Sequence, residues 1–348
     1  MNTEAVEQPI DAIASREPPG VGFRHVLVCL DRSETAEAAL PFAAHLARTD
    51  NARITLLHVL EAPPETDDIR ATDAIAWDIA REGARAYLAR VAGKIADLGV
   101  SPEMRVAEGT AASQIASLAA ALDADLIVLS SHGEGGEGAW PLGSTAQKVL
   151  TLAQGSLLIV PSHRPDAAPR IQLKRIFVPL DGSIRAESVL PTAVRLARAE
   201  EAEVIVAHLT SDPIRTEVLF TEEDLALARE LADRLTSRAD AYVGQVRARL
   251  SNGGLHGVRV RAVTGRSTDH RTGLIALALS QRADLVVLSA HGSVCNARHR
   301  FGSVTSYFIA HSTVPVLVVQ DLPGTSRSTP IPPTRPPPRS LDAGTPEN

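Results

Sequence analysis

DADLIVLSSHG, residues 123–133, recurs almost unchanged as RADLVVLSAHG at residues 282–292. Other segments repeat at constant offsets as well. The offset is 150 residues from Asp31 to Asp181 and becomes 159 residues from His132 to His291, so the second copy has gained nine residues in between. Constant offsets interrupted by one local gain indicate that a whole domain has been duplicated.

Each copy alternates apolar runs with helical patterns. The runs VLVCL, ITLLHV, LIVLS and LLIVP of the first copy are typical of parallel strands buried on both faces of a sheet. Leu40, Ala43 and Ala47 follow helical spacing, and longer helices are expected at about 66–98 and about 221–251. Strands that alternate with helices imply right-handed crossovers and an open, doubly wound sheet. The sequence therefore predicts two tandem Rossmann-like α/β domains.

The domain boundaries follow from the extent of the repeat and from composition. We predict an N-terminal extension, a first domain, a short Pro/Ala linker, a second domain and a Pro-rich tail, at residues 1–22, 23–162, 163–172, 173–321 and 322–348. The last 26 residues hold eight prolines and almost nothing to bury, so we expect disorder with polyproline II character there, and disorder in the N-terminal extension too. PPTRPPPR in the tail also fits a ligand of a proline-binding module, but a solvated tail is the favoured interpretation.

Composition narrows the classes of partner and compartment. The formal net charge is −6 and the body of the chain has no long basic cluster, which argues against nucleic acid as a partner. Cys29 and Cys295 form neither a disulfide framework nor a metal-ligand spacing. The apolar runs stop short of the roughly 20 residues of a membrane span, and residues 1–22 do not have the pattern of a secretory signal. We expect a cytoplasmic protein that binds neither membrane nor nucleic acid.

The segment after the fourth strand of each copy keeps its spacing while its contents change. GEGGEG (133–138) matches the dinucleotide fingerprint, but that fingerprint belongs after the first strand with a helix opening at once, so the match is rejected. The two copies instead share Ser-x2-Gly-x9-Gly-Ser, with spacers EGGEGAWPL and SVCNARHRF. A helix is expected after the second glycine, and its first backbone N–H groups favour an anion. Glycine there leaves room for a phosphate.

In these residues, the sequence resembles the universal stress protein family of the tandem type. The resemblance rests on SSHG…GS and SAHG…GS, on opening strands that run into LDRSETA and PLDGSIRAE, and on the second strands LLHV and VAHL. It covers about 24–162 and 173–321. It implies that each domain is an adenine nucleotide alpha hydrolase-like, five-stranded parallel sheet of order 3-2-1-4-5 with helices on both faces.

The resemblance also implies a nucleotide site in each copy, because the family pattern G-x2-G-x9-G-(S/T) holds the ribose and phosphates of ATP in its nucleotide-binding branch. The aspartate after the first strand and the end of the second strand then meet the adenine. In the first copy the matching residues are Asp31, Val59, Ser130, His132, Gly133, Gly143, Ser144 and Thr145. In the second copy they are Asp181, Leu209, Ser289, His291, Gly292, Gly302, Ser303 and Val304. Ser130 and Ser289 replace the first glycine, at a cost of roughly 1–2 kcal/mol if that position is left-handed.

Simpler roles compete with these. Asp31 and Asp181 lie where aspartate is a favoured helix N-cap. Gly143 and Gly302 fit plain turns, and Cys295 fits an incidental small residue.

The histidines also have simpler interpretations. His58 and His208 are expected to be satisfied core histidines. Catalysis by His132 or His291 is disfavoured, because neighbouring Ser131 should point to the opposite face of its strand.

The two spacers differ in charge. Glu134 and Glu137 lie in the first, whereas Arg298 and Arg300 lie in the second. Charges about 4 Å apart interact by roughly 4 kcal/mol at an effective dielectric near 20. We therefore predict that the second copy is the better nucleotide site.

Three functions remain open at this stage. The favoured one is an ATP-responsive regulatory protein of the stress response, without catalytic residues. The alternatives are a nucleotide-free adaptor that acts through protein contacts and a slow ATPase, although no Walker loop is present and no acidic pair is obviously placed for Mg²⁺. The edge strands SLLIVP and PVLVV are predicted to pair between the domains in an internal pseudo-twofold unit, with homodimerisation as a further step.

Overall fold

The computed structural model describes residues 22–61, 72–133, 142–162, 171–212, 221–252, 258–293 and 300–320. The Pro-rich tail, nearly all of the N-terminal extension and most of the linker lie outside these residues. So do Glu134, Glu137, Cys295 and Arg298.

Both halves of the chain contain the same succession of elements. The first half has β1 (His25–Leu30), α1 (Glu34–Glu37), α2 (Leu40–Asp50), β2 (Arg53–Leu60), α3 (Thr72–Ala96), β3 (Glu103–Glu108), α4 (Ala111–Ala121), β4 (Leu126–Ser130), α5 (Ser144–Leu152) and β5 (Ser156–Val160). The second half has β6 (Arg175–Pro179), α6 (Ile184–Glu187), α7 (Leu190–Ala199), β7 (Glu203–Ser211), α8 (Glu222–Asn252), β8 (Arg259–Ser267), α9 (His270–Ser280), β9 (Leu285–Ser289), α10 (Ser303–His311) and β10 (Val316–Val319). The long predicted helices are α3 and α8.

The strands of the described residues form one ten-stranded sheet of order β3-β2-β1-β4-β5-β10-β9-β6-β7-β8. Each half therefore has the predicted order 3-2-1-4-5, and its internal pairings are parallel. The halves meet where β5 pairs antiparallel with β10. Leu158 lies opposite Leu317, its own counterpart at the offset of 159, so the sheet contains the predicted internal pseudo-twofold pairing.

Two apolar cores cover the two faces of the sheet. Val26 and Val28 of β1 face the core formed with α2, α3, α7 and α8, whereas Leu27 and Cys29 face the core formed with α4, α5, α9 and α10. Because successive strand residues point to opposite faces, a strand covered on both sides must be apolar throughout. This is why the strands read as uninterrupted apolar runs. Within the described residues, no helix has the length and apolarity needed to cross a membrane.

Candidate functional site

The predicted site residues gather at the carboxyl ends of the strands, where the strand order reverses. In the second half this point lies between β6 and β9, and in the first half between β1 and β4. Ligands of open α/β sheets bind in the crevice that such a reversal leaves. Asp31 follows β1 and Asp181 follows β6, so each aspartate stands at this crevice.

A cavity of about 680 Å³ occupies the crevice of the second half. This volume lies within the usual range for small-molecule sites, roughly 300–1,000 Å³. Most of the residues predicted for this half line it: Asp181, Leu209, Ser289, Gly292, Gly302, Ser303 and Val304. His291 is only 3 % exposed and is not among the lining residues, and Arg300 lies beside the start of α10.

The two aspartates organise the turn after the first strand of each half. Asp181 Oδ1 accepts hydrogen bonds from Ser183 N at 3.0 Å and Ser183 Oγ at 2.6 Å. In the first half, Asp31 Oδ1 accepts from Ser33 N and Ser33 Oγ in the same way. The alternative role considered for these aspartates, capping the helices, does not apply. Ser33 and Ser183 are the N-caps, because their hydroxyls reach the amides of Ala36 and Ala186.

Asp181 is held ionised by its surroundings. Burial alone would raise its pKa, but hydrogen bonds from Ser183 and from the amide of Ser293 outweigh burial and lower the pKa below its ordinary value. Ser293 N donates to Asp181 Oδ2 at 2.6 Å. The amide and hydroxyl of Ser183 and the amide and hydroxyl of Ser293 together supply four donors, which fill the roughly four acceptor positions of the Asp181 carboxylate.

In each half, the first glycine of the motif, Gly133 or Gly292, makes room for the aspartate of that half. A Cβ at Gly292 would overlap Asp181 Oδ2 and lie 3.2 Å from its Cγ, and a Cβ at Gly133 would overlap Asp31 in the same way. The glycine therefore lets the turn after β4 approach the turn after β1 in the first half, and the turn after β9 approach the turn after β6 in the second. In this way it makes room for a protein side chain, a role that the motif alone did not reveal.

Serine at the first position of the motif closes the same turn. Ser130 Oγ donates to the carbonyl of His132 at 2.6 Å, and Ser289 Oγ donates to the carbonyl of His291. Neither serine is among the described residues with positive φ. The left-handed strain that the resemblance raised for these serines is therefore absent, and their hydroxyls stabilise the turn.

Both final helices begin without a side-chain cap. Gly143 and Gly302 are the N-cap residues of α5 and α10, with φ of −63° and −66°, and no side chain caps either helix. Ser144 and Thr145 at the start of α5, and Ser303 at the start of α10, are exposed. The first N–H groups of each helix, at the positive end of the helix dipole, thus lack a side-chain cap, an arrangement that favours an anion.

Local hydrogen bonds account for the histidines. Ser131 Oγ lies 3.1 Å from His132 Nδ1, so the prediction that these side chains point apart was wrong. The strand alternation ends with β4 at Ser130, and the chain turns before His132. His58 is a satisfied core histidine as predicted, with Nδ1 2.8 Å from the carbonyl of Leu30. His208 makes the same contact to Leu180 while half-buried.

The segment between β8 and α9 adds residues that the motif did not predict. Asp269 and Arg271 line the cavity, and Asp269 holds the Arg271 guanidinium at 3.1 Å while that group lies over the Tyr307 ring. In the first half the position equivalent to Arg271 is Ala112. Aligning the two copies beyond the motif and comparing charges position by position would have revealed this difference.

The corresponding corner of the first half carries a carboxylate. Glu61, just after β2, accepts a hydrogen bond from the amide of Ala111 at 2.7 Å, at the first residue of α4. Val59, the residue predicted for the adenine end, lies two positions earlier and is partly buried. The carboxylate thus satisfies the start of α4.

A comparison with protein families agrees with this geometry. The model of the universal stress protein family matches residues 22–161 and 172–320. The chain belongs to the universal stress protein family. Two matches in one chain make it a tandem member.

Relatives span either the whole tandem protein or one half. A universal stress protein of Mycolicibacterium smegmatis is 25% identical over 305 residues, covering 85% of this chain and 96% of the relative. Universal stress protein YxiE of Bacillus subtilis is 33% identical over 147 residues, covering 40% of this chain and 99% of the relative. The crystal structure of a universal stress protein from Archaeoglobus fulgidus has 19% identity and a TM-score of 0.59, covering 87% of this chain and 98% of that one. That likeness extends the tandem fold across both halves.

Proposed function

We propose that this universal stress protein binds an adenine nucleotide, preferentially ATP, in the cavity of its second half, and that occupancy regulates a docking surface with little or no hydrolysis. The observation that carries the proposal is the cavity itself. It brings the aspartate turn, the end of β7 and the uncapped start of α10 around one volume of nucleotide size.

The adenine end would lie between Asp181 and Leu209. Asp181 is ionised and lines the cavity, so its negative charge would attract the exocyclic amine of adenine. Leu209 is 7 % exposed and offers an apolar surface to the ring. An apolar wall with a few placed polar groups is the usual composition of such sites.

The phosphate end would lie at the start of α10. Ser303 and Val304 line the cavity and supply backbone N–H groups that no side chain caps. Nearby, Nε and Nη2 of Arg300 are buried and make no hydrogen bond in the part of the chain that the structure describes. Burial lowers the pKa of this guanidinium, so a phosphate beside it would offset the cost of burying the charge.

The charges support a preference for the second half. Arg271 lines the cavity of the second half, whereas Ala112 occupies the equivalent position in the first half. In the first half, the carboxylate of Glu61 accepts a hydrogen bond from the start of α4. Loss of the basic group at one position and gain of a carboxylate at another both weaken attraction for a polyphosphate. The first site is therefore proposed to be weak.

Identifying the small molecule that heat releases from natively purified protein tests this proposal. Anion-exchange chromatography should detect an adenine nucleotide from the wild-type chain and much less from Gly302→Val. A Cβ at Gly302 would lie no closer than 3.7 Å to protein atoms, so the variant is expected to fold. Gly143→Ala is the corresponding variant of the first half, with a smaller side chain because its surroundings are tighter, and should retain the nucleotide.

Two outcomes would redirect the proposal. Protein that carries no nucleotide and binds no added ATP would favour an adaptor without a ligand. Phosphate release faster than roughly one per minute, slowed in Gly302→Val, would favour an ATPase. Such an enzyme would be slow, because typical turnover numbers are roughly 1–1,000 per second.

A further inference from the structure

Helices α2 and α7 meet across the pseudo-twofold axis, and their contact contains a buried ion pair. The Asp50 side chain is 1% exposed and pairs with the guanidinium of Arg195. Asp50 also accepts a hydrogen bond from Phe23 N at 2.7 Å, and the Arg195 guanidinium lies over the Phe23 ring. This pair links the last turn of α2 in the first half to the middle of α7 in the second.

A second pair occupies the symmetry-related position. His45 Nε2 lies 3.5 Å from Glu200 Oε1. His45 and Arg195 are counterparts at the offset of 150 residues, and so are Asp50 and Glu200. His45 thus faces Glu200 in the same way that its counterpart Arg195 faces Asp50. Such reciprocal pairing is typical of an isologous interface, in which the same surface of each half contacts the other. We call these four residues the latch.

The two pairs of the latch differ in how their charges respond to a fall in pH. Burial lowers the pKa of Arg195 to about 10, so its charge persists at neutral and mildly acidic pH. His45 is 5% exposed, and Nε2 makes no hydrogen bond among the described residues. Burial, and then the nearby charge of Arg48, lower the pKa of His45 to about 4. Burial raises the pKa of Glu200.

We infer that the latch is an acid-sensitive contact between the two halves, which loosens when His45 must take up a proton while the Asp50–Arg195 pair remains. The charged groups that face His45 are Arg48 on its own helix and Glu200 on α7, with Asp50–Arg195 at the other end of the contact. Among the described residues, Glu200 is the carboxylate that pairs with His45 and would attract the imidazolium. Because Glu200 is itself more easily protonated than an exposed glutamate, its attraction weakens in acid.

The direction of the effect follows from the pKa of His45. Its ordinary value is 6.5 and its folded value is lower, so the opened contact binds more protons and the closed contact loses stability as pH falls from 6.5 toward 4. By pH 5 the equilibrium for closing should have fallen by at most about 30-fold. Protonation of Glu200 relieves its own burial and offsets part of that fall.

Hydrogen exchange of the full-length chain tests the inference, with rates corrected for intrinsic exchange, at about pH 7.5 and about pH 5. In the wild type, protection of α2, α7 and the β5–β10 ladder should fall by between 5-fold and 30-fold, roughly the range that linkage allows, while β1 and β6 keep theirs. His45→Gln should fall less than about 3-fold, because its side chain does not titrate. Glu200→Gln should fall more steeply than the wild type.

His45→Arg is the second variant, because it introduces the residue that the second half has at the equivalent position. It should stay protected at about pH 5. His311→Gln removes an exposed histidine of α10 and should behave as the wild type. An NMR titration of His45 in the wild-type chain needs no variant and should give a midpoint well below 6.5.

Three results would overturn the inference. One is a fall in His45→Gln or His45→Arg as large as that of the wild type. Another is a wild-type loss of protection shared equally by β1 and β6, since that would be global unfolding. The third is a His45 midpoint at or above 6.5.

Discussion

At the start of α4 in the first half, Glu61 accepts a hydrogen bond from Ala111, whereas the matching corner of the second half carries Arg271 beside a cavity of about 680 Å³. The surrounding frame is the same in both: an aspartate turn, a serine that closes the strand-four turn and an uncapped final helix. The two halves have the same backbone arrangement, but the charges of the side chains at this corner differ. Under the proposed function, the difference in charge rather than the shared fold would decide which half binds a polyphosphate.

The largest expected effect lies in the latch and compares its two pairs. Asp50→Ala leaves the partly buried Arg195 without its partner, so the chain should lose about 3 kcal/mol of stability, the lower end of the range for fully buried pairs. Glu200→Ala should cost about 1 kcal/mol or less, because its partner is an uncharged imidazole near neutral pH. Urea unfolding at about pH 7.5 measures both. Equal losses would contradict the assignment of the permanent charge pair to Asp50 and Arg195.

A pair of glycine variants separates the two glycines of the second motif. Gly292→Ala places a methyl group against the Asp181 carboxylate and should cost about 1–3 kcal/mol of stability, as overpacking does. Gly302→Ala adds a methyl group with only ordinary contacts and should stay within about 0.5 kcal/mol of the wild type. Thermal unfolding compares them. A Gly302→Ala variant less stable than Gly292→Ala would contradict the roles given to these glycines.

Arg300 tests the charge difference between the halves. Arg300→Ala should weaken ATP binding by about tenfold, since a charge-assisted hydrogen bond contributes roughly 1.5–3 kcal/mol. Its control is Arg247→Ala, an exposed arginine on α8, which should leave affinity unchanged. Calorimetric titration at two salt concentrations measures both. Unchanged affinity in Arg300→Ala would remove this residue from the site.

The smallest effect concerns the turn after the first strand. Arg32 has φ of 73°, and its counterpart Gly182 has φ of 86°. A non-glycine residue in this left-handed region costs roughly 1–2 kcal/mol, so Arg32→Gly should stabilise the chain by about 1 kcal/mol and Gly182→Ala should destabilise it by a similar amount. Both are read from the unfolding midpoint. The same sign for both changes would show that the two turns are not equivalent.

The sequence predicted the sheet because parallel strands covered on both faces must be apolar, and the repeat then fixed which strands correspond. It misplaced local details that depend on where a strand stops. Ser131 and His132 were expected to diverge, but β4 ends at Ser130 and their side chains meet. Aspartate was considered as a helix cap, but a serine two residues later reaches the helix more easily.

The charges of the site were only partly predictable. Arg300 lies inside the recognised spacing and was predicted from it, although it does not line the cavity. Arg271 lies outside the motif and enters the cavity through the fold of the β8–α9 segment. Glu61 likewise meets α4 across 50 residues of chain. Contacts that join separate elements have no local signature, so only the assembled sheet reveals them.

The central claim is that the second half is the principal nucleotide site, and calorimetric titration of ATP into the full-length chain tests it most directly. Together with the wild type, Gly302→Val and Gly143→Ala assign any site to one half. The account predicts one tight site per chain, lost in Gly302→Val and retained in Gly143→Ala. Two sites of equal affinity, or a tight site that survives Gly302→Val, would contradict it.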